Sequence, residues 1–316
     1  MKIKFWGVRG SIPTPPTSDQ IRKKISKFIH YCFAQKIKDM AEVNRLLETS
    51  SATDVGLIGG NTSCIELRAD NKIIIFDMGS GIKNLGNYIV KHDQNANGLE
   101  LHIFISHTHW DHIHGFPFFV PAFFPNTKIY FYSGHPNLKE RLEIQQDPRF
   151  FPVALDHMAA KKEFVQLKHK SSIQIGNITI QNYPLYHPGG SFSYRVEHQG
   201  KVFVYATDSE YKDLSRENTE KYIKFFKDAD LLAFDAQYTF EESIHKEDWG
   251  HSSALIGIDF AIQAKIKRLA LFHHEPERDD FEIEEIVDKS IEYRKINYPD
   301  KDLEIFPAIE GMEIQL

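Results

Sequence analysis

"SHTHWDHIHGF", residues 106–116, sets four histidines and an aspartate into the eight positions from His107 to His114. The preceding "LHIFIS" (101–106) reads as a strand, so the imidazoles begin where a rigid element ends. His107 and His109, two residues apart, can grip one cation while Asp111 and His112 face a second. Imidazole and carboxylate without thiolate suit Zn²⁺, Mn²⁺ or Fe and do not choose among them. With 16 His in 316 residues, a His-x-His-x-Asp-His run would arise by chance in only roughly three such chains per thousand. The bland alternative is a set of surface or stacking histidines.

Outward from this stretch, short strand-like runs alternate with helical ones. "KIKFW" (2–6) and "CIELR" (64–68) alternate in polarity, and "KIIIF" (72–76) is continuously apolar, as in a strand covered on both faces. "KIYFY" (128–132), "ITIQ" (178–181), "FSYRVE" (192–197), "KVFVYA" (201–206), "LLAF" (231–234) and "RLALF" (268–272) continue the series. The clearest helical spacing is over 253–267, where Leu255, Ile258, Ile262 and Ile266 recur behind a Ser252 or Ser253 cap. A second helical stretch, 20–48, carries an apolar stripe from Ile21 through Ile25, Ile29 and Phe33 to Leu47, with Thr17 and Gln20 at capping-box spacing. It is expected to be a helix or helical pair packed on the body, or else a lid or a homodimer contact.

Net charge is −6, with 26% charged and 41% hydrophobic residues. That balance disfavours a large nucleic acid as partner, since phosphate-backbone binding needs a basic surface. The runs "RKKISK" (22–27) and "KKEFVQLKHK" (161–170) are read as solvated faces. Two cysteines, Cys32 and Cys64, lie far apart, which suits a reduced, cytoplasmic protein. No apolar run is long enough for a membrane span, and "MKIKFWGVRG" reads as strand and turn, not as a signal peptide.

The motif at 107–112, followed in order by "YHPGGSFSYR", "VYATDSE" and "RLALFHHEP", resembles the metallo-β-lactamase-fold superfamily of metallohydrolases. The resemblance runs from "FWGVRGSIP" to "FHHEPERDD" and leaves only 15–58 without a counterpart. It implies a single α/β domain over 1–316, an αββα sandwich of two facing mixed β-sheets with helices outside, and a helical insertion at about 15–58. It further implies two divalent metal ions, with Zn first and Mn or Fe as alternatives. His107, His109 and His187 would hold one ion, Asp111, His112 and His273 the other, and Asp208 would bridge. His273 is preferred to His274 because the family places its ligand first after the strand. Asp77, ending "KIIIF", would orient the metal-binding loop from beneath.

"DWGHSS" (248–253) departs from a plain lactamase. A similar Gly-His-Ser element marks the phosphodiesterase branch, including ribonuclease Z, where the histidine serves the leaving group. The expected catalytic residues are therefore His251 as general acid, Asp235 as its partner where ribonuclease Z has glutamate, and Asp111. The resemblance implies a di-metal phosphodiester hydrolase with a metal-bridging hydroxide as nucleophile. The acidic chain favours a small substrate, a cyclic nucleotide above all. Alternatives are a ribonuclease Z-like tRNA 3′-processing endonuclease, a lactam, lactone or thioester hydrolase, and a non-catalytic metal-bearing nucleotide sensor.

Overall fold

Two seven-stranded sheets, each half antiparallel and half parallel, form the frame of the computed structural model, which describes residues 1–50, 55–93 and 98–316. The first holds β1 (Lys2–Gly7), β2 (Cys64–Ala69), β3 (Lys72–Phe76), β4 (Glu100–Phe104), β5 (Lys128–Ser133), β6 (Lys161–Gln166) and β14 (Glu313–Gln315), ordered β14-β1-β2-β3-β4-β5-β6. The second holds β7 (Ser172–Ile175), β8 (Ile178–Leu185), β9 (Ser191–His198), β10 (Lys201–Ala206), β11 (Leu231–Asp235), β12 (Arg268–Phe272) and β13 (Glu304–Pro307), ordered β13-β12-β11-β10-β9-β8-β7. Strands β3 to β6 run parallel to one another, and so do β10 to β13.

The two sheets pack through an aromatic core. Phe76 is fully buried, with the rings of Phe104, Tyr194, Phe203 and Tyr205 centred 5.6–5.9 Å away. Truncating such a ring to alanine typically costs about 3–5 kcal/mol. Helix α1 (Ser18–Ala34) and helix α2 (Met40–Thr49) precede β2, and α3 (Gly81–His92) covers the outer face of the first sheet together with Phe116 and Phe119. After α4 (Trp110–Ile113) and α5 (Leu138–Gln145) come α6 (Arg216–Phe226), α7 (Phe240–His245), α8 (Ala254–Gln263) and α9 (Asp280–Asn297), and α6, α8 and α9 cover the outer face of the second sheet. The result is the αββα sandwich of the metallo-β-lactamase fold. Among the described residues, no helix is long and apolar enough to cross a membrane.

Register sets the strand ends level: Phe76 pairs with Phe104, Ala206 with Phe234, and Asp235 with Phe272. The carboxyl ends of β3 and β4 thus meet those of β10, β11 and β12 along one edge. In α/β sheets that edge is where ligands bind.

The run 161–170 is largely solvated as expected, with Lys161, Glu163 and Gln166 exposed, but "KKEFVQ" is also the edge strand β6, whose lysines suit an edge that must resist further pairing. Two other readings need correction. The helix expected over 253–267 spans Ala254–Gln263, and the chain leaves helical geometry at Lys265, with φ +58°. The stretch 20–48 is the helical pair α1 and α2, separated at Lys36, φ +56°, but its apolar stripe does not pack on the body. Ile25, Ile29 and Leu47 are exposed and Phe33 is 77% exposed, whereas Lys24 is buried. Helix α1 docks by charge: Lys24 Nζ lies 3.1 Å from Asp280 and 3.6 Å from Glu284, and Lys27 Nζ lies 3.2 Å from Glu284. The expected capping box of Thr17 and Gln20 is present at the start of α1. Positions 51–54 of the insertion expected at 15–58 lie outside the described residues.

Candidate metal centre

Each sequence-derived candidate sits at or just past a strand end of the shared edge, or on the loops that follow. Asp77 follows β3; His107, His109, Asp111 and His112 follow β4; His187 follows β8; Asp208 follows β10; Asp235 ends β11; His273 follows β12. Asp77, Asp208 and His273 all adopt positive φ, at +58°, +55° and +61°. Non-glycine residues held there are uncommon and cluster where a side chain must be aimed.

The edge gathers two ligand-like groups. His107, His109 and His187 form one, and Asp111, His112, Asp208 and His273 form the other, with the donor atoms of each within 4.8 Å of one another. Asp208 spans them: its Oδ1 lies 3.2 Å from His112 Nε2 and 3.4 Å from His273 Nε2, while its Oδ2 lies 3.7 Å from His107 and 3.8 Å from His187. His274 turns away and its Nε2 meets the Ala308 carbonyl at 2.9 Å. Burial, followed by the charge of Arg9, pushes its pKa down to about 3.

The far nitrogen of most rings is already committed. His112 Nδ1 donates to Asp77 at 2.7 Å, His187 Nδ1 to the Gly250 carbonyl at 2.8 Å, and His273 Nδ1 to Gln237 Oε1 at 2.9 Å. His107 Nδ1 meets Ser106 Oγ at 3.0 Å, and that hydroxyl donates to Asp77 at 2.6 Å. Asp77, fully buried, also accepts from the Ser106 N–H and the Tyr205 hydroxyl. Such partners fix the tautomer and turn the remaining nitrogen toward the cluster. Gly250 has to be glycine at that spot: φ is +84°, and a Cβ would come within 2.3 Å of His187 Nδ1.

This donor set fits cations. With their Nδ1 atoms donating, His112 and His273 bring their Nε2 atoms to 3.3 Å from each other, and Asp111 Oδ2 stands 3.3 Å and 3.1 Å from them. His107 Nε2 is buried without a hydrogen-bond partner. Burial pushes the His107 pKa well below its usual value and that of His187 down to about 4, so both rings are neutral. Burial alone would raise Asp111 and Asp208, but the neighbouring imidazoles hold both carboxyls well below their usual range. Burial would lower His112, yet Asp208, Asp111 and Asp77 raise it well above its usual value. Neutral imidazoles and ionised carboxylates are the ligating forms, and a cation would displace the proton that His112 holds.

His251 stands beside these groups. Its Nδ1 lies 2.9 Å from Asp235 Oδ2, its ring stacks on His273 with centroids 5.0 Å apart, and the His187 ring is 5.1 Å away. Burial lowers its pKa, but the Asp235 charge and hydrogen bond outweigh that and bring it to about 9. Asp235 is fully buried and also accepts from the Ser209 and Gln237 N–H groups. An open cleft of about 400 Å³ borders the cluster, lined by Ser11, Thr108, His109, Trp110, Asp111, Asp208 and His251.

Reading the sequence missed Ser106, Tyr205, Gln237 and the Ser11 N–H, which donates to Asp111 Oδ2 at 2.7 Å. Ser106 lies within the quoted histidine stretch and Gln237 two positions past Asp235, and their nearness to candidate residues was the available signal. Tyr205 carried none, because in a buried strand its ring reads as core.

A family model described as a Beta-lactamase superfamily domain matches residues 92–274, more than half of the chain and every cluster residue from His107 to His273. The chain belongs to the beta-lactamase superfamily. Within that superfamily it is similar to ribonuclease Z of Haloarcula marismortui, at 23% identity over 308 residues covering 77% of this chain and 93% of the relative. Among solved structures, yeast PDE1 superposes with TM-score 0.64 at 13% identity, covering 100% of this chain and 99% of that one. The short form of human tRNase Z superposes with TM-score 0.61 at 16% identity, covering 100% and 99%. At these identities the two superpositions speak for the fold.

Proposed function

We propose that this superfamily member is a metal-dependent phosphodiester hydrolase whose substrate is small, a 3′,5′-cyclic nucleotide before others. The observation that carries the reading is the His251–Asp235 pair, 2.9 Å apart and buried beside the cation-fitting cluster. A thioester hydrolase has little use for such a proton donor, because a thiolate leaves unaided, whereas a phosphodiester's alkoxide is a poor leaving group and needs one.

In this reading His107, His109 and His187 hold one ion, Asp111, His112 and His273 the other, and Asp208 reaches both; Zn²⁺ is the first candidate, Mn²⁺ or Fe the next. Two bound divalent ions supply an activated water and neutralise charge on the phosphoryl oxygens. The chain's own residues do the rest. Asp77 holds His112 and Ser106 in place, the Ser11 N–H steadies Asp111, and Asp235 keeps a proton on His251 Nδ1. That leaves His251 Nε2 to protonate the departing oxygen.

Among the described residues no lysine or arginine lines the cleft, and net charge is −6, which favours a single phosphodiester over a polyanion. The relatives named ribonuclease Z support a second reading, an endonuclease of that kind.

His251→Ala is expected to lower kcat by roughly 10²–10⁴-fold with metal content unchanged. His251 also lies in ligand range of His187 with Asp208, and of Asp235 with His273, so loss of metal from the variant would make it a ligand and remove the general-acid role. A parallel panel of cyclic mononucleotides, bis-p-nitrophenyl phosphate, pre-tRNA and nitrocefin decides the substrate class. Hydrolysis of nitrocefin alone defeats the phosphodiester reading, and salt-dependent tRNA cleavage favours the second.

A further inference from the structure

His251 lines two spaces, the metal-bordered cleft and a pocket of about 260 Å³ between α7, the first turn of α8 and the 210–214 loop. Its apolar walls are Leu214, Phe240, Ile244 and Ile256. Phe240 and Ile244, four apart on α7, present one helix face, and Phe240 is 45% exposed with nothing stacked on its ring among the described residues. Whole small-molecule sites run to about 300–1,000 Å³, so a space of this size suits one moiety of a larger ligand.

The polar rim says what kind. Glu210 is engaged by the Asp248 and Gly250 N–H groups. The one lysine or arginine of the rim among the described residues, Lys212, is paired with Asp248, lies 3.5 Å from Glu247 and 3.9 Å from Glu210, and sits over the Tyr186 ring. Three carboxylates therefore surround a single ammonium, the His251 imidazolium is already paired with Asp235, and a further phosphate entering here would find every cation of the described rim engaged. Ser243 Oγ donates to the Phe240 carbonyl and keeps lone pairs for an incoming N–H.

We infer that this pocket, one imidazole away from the metal cleft, receives the nucleobase of the leaving alcohol, with Phe240 as stacking platform, and that its acidic rim rejects an alcohol bearing another phosphate. The inference rests on the phosphodiester reading and narrows it to mononucleotide substrates. Geometry supplies the logic: an oxygen protonated by His251 lies against that ring, so the group carried by the oxygen extends past the ring into the adjoining space. Base stacking on an exposed aromatic ring is sequence-tolerant, so the walls select for a base without reading which one.

The test is a two-by-two cycle on the metal-loaded enzyme. Wild type and Phe240→Ala are each assayed with 3′,5′-cyclic AMP and with the abasic 1-deoxyribose 3′,5′-cyclic phosphate. Removing the ring or removing the base is expected to raise KM roughly tenfold, and removing both to raise it no further. Binding of 5′-AMP, followed by calorimetry, should weaken by a similar factor in Phe240→Ala. Additive KM effects overturn the assignment, as does non-additivity found with Trp110→Ala instead, which puts the base on the opposite wall of the cleft.

A second arm compares a linear diester whose leaving nucleoside carries a 3′-phosphate with the same diester lacking it. Wild type should disfavour the phosphorylated form about tenfold, and Glu247→Lys should narrow that ratio. Equal use of both forms, or preferred cleavage of pre-tRNA, overturns the acidic-rim argument. If the metal-loaded wild type cleaves no phosphodiester at all, the underlying reading falls and the pocket assignment with it. If diesters are cleaved but the cycle shows no coupling, the pocket assignment alone falls.

Discussion

The strand-end edge and the α1–α2 segment answer the same question in opposite ways. At the edge, polar and titratable side chains are buried against dense hydrogen bonding: Asp77 alone accepts four hydrogen bonds. In α1–α2, apolar side chains are left in water while the lysine between them is buried against Asp280 and Glu284. Hydropathy predicts burial only where the backbone has no stronger reason to choose its neighbours. A helix docked by ion pairs can face its stripe outward, and a carboxylate with enough donors can sit at the base of a sandwich.

The sharpest way to break this contrast is at Asp77. Asp77→Ala leaves the His112, Ser106 and Tyr205 donors buried without their acceptor, and is expected to cost about 3–5 kcal/mol by urea denaturation. Metal affinity should fall roughly 10–100-fold by titration with a chelating dye. A near-neutral result would mean that the edge does not depend on its hydrogen bonds.

Gly250→Ala forces a side chain into the left-handed region at φ +84° and against His187 Nδ1. An expected loss of about 2–3 kcal/mol, with weakened metal retention, would show that the loop and the ligand are set together. Lys24→Met tests the other region. It removes the buried ammonium facing Asp280 and Glu284 and should cost about 2 kcal/mol or more, with hydrogen exchange rising in α1 and metal content unchanged.

Acid sharpens the comparison outside both regions. Burial, helped by the charge of Arg141, pushes the His135 pKa from 6.5 down to about 4. The ring is neutral when folded, so the unfolded chain binds the extra proton between those values, and stability must fall as pH drops from about 6.5 to 4. The expected contribution is about 1–2 kcal/mol after allowance for solvent screening, read as the difference in acid dependence between wild type and His135→Gln. The smallest effect belongs to Phe33→Ser. An exposed ring should change stability by less than about 0.5 kcal/mol, and a large loss would mean that the stripe is covered in solution.

Much of the site was legible because its chemistry is dense in the sequence. His107, His109, Asp111 and His112 lie within six positions, and their spacing alone suggests cations. His187, Asp208 and His273 carry no such local signal; only their order behind strand-like runs, and the family resemblance, tied them to the motif. The supporting partners were harder. Ser106 lies inside the quoted stretch, yet its contact with Asp77 across 29 positions depends on how β3 and β4 are registered. Strand β6 was hidden by its charges, because an edge strand satisfies only one side and can leave lysines in water. The apolar stripe of α1 misled for the complementary reason: its period was right, but nothing local announced that Lys24 would find Asp280.

One bond described above has a mechanical meaning. The Tyr205 hydroxyl from the second sheet ends on Asp77 of the first, at 2.7 Å and fully out of solvent. Half of the strand-end edge is thereby stitched to the other half through a side chain of the second sheet. Any breathing of the sandwich, whether from heat, a core cavity or a partner pressing on an outer helix, pulls on that stitch and so tilts His112. The distant aromatic packing between the sheets is therefore an alignment device for chemistry carried out at their rim.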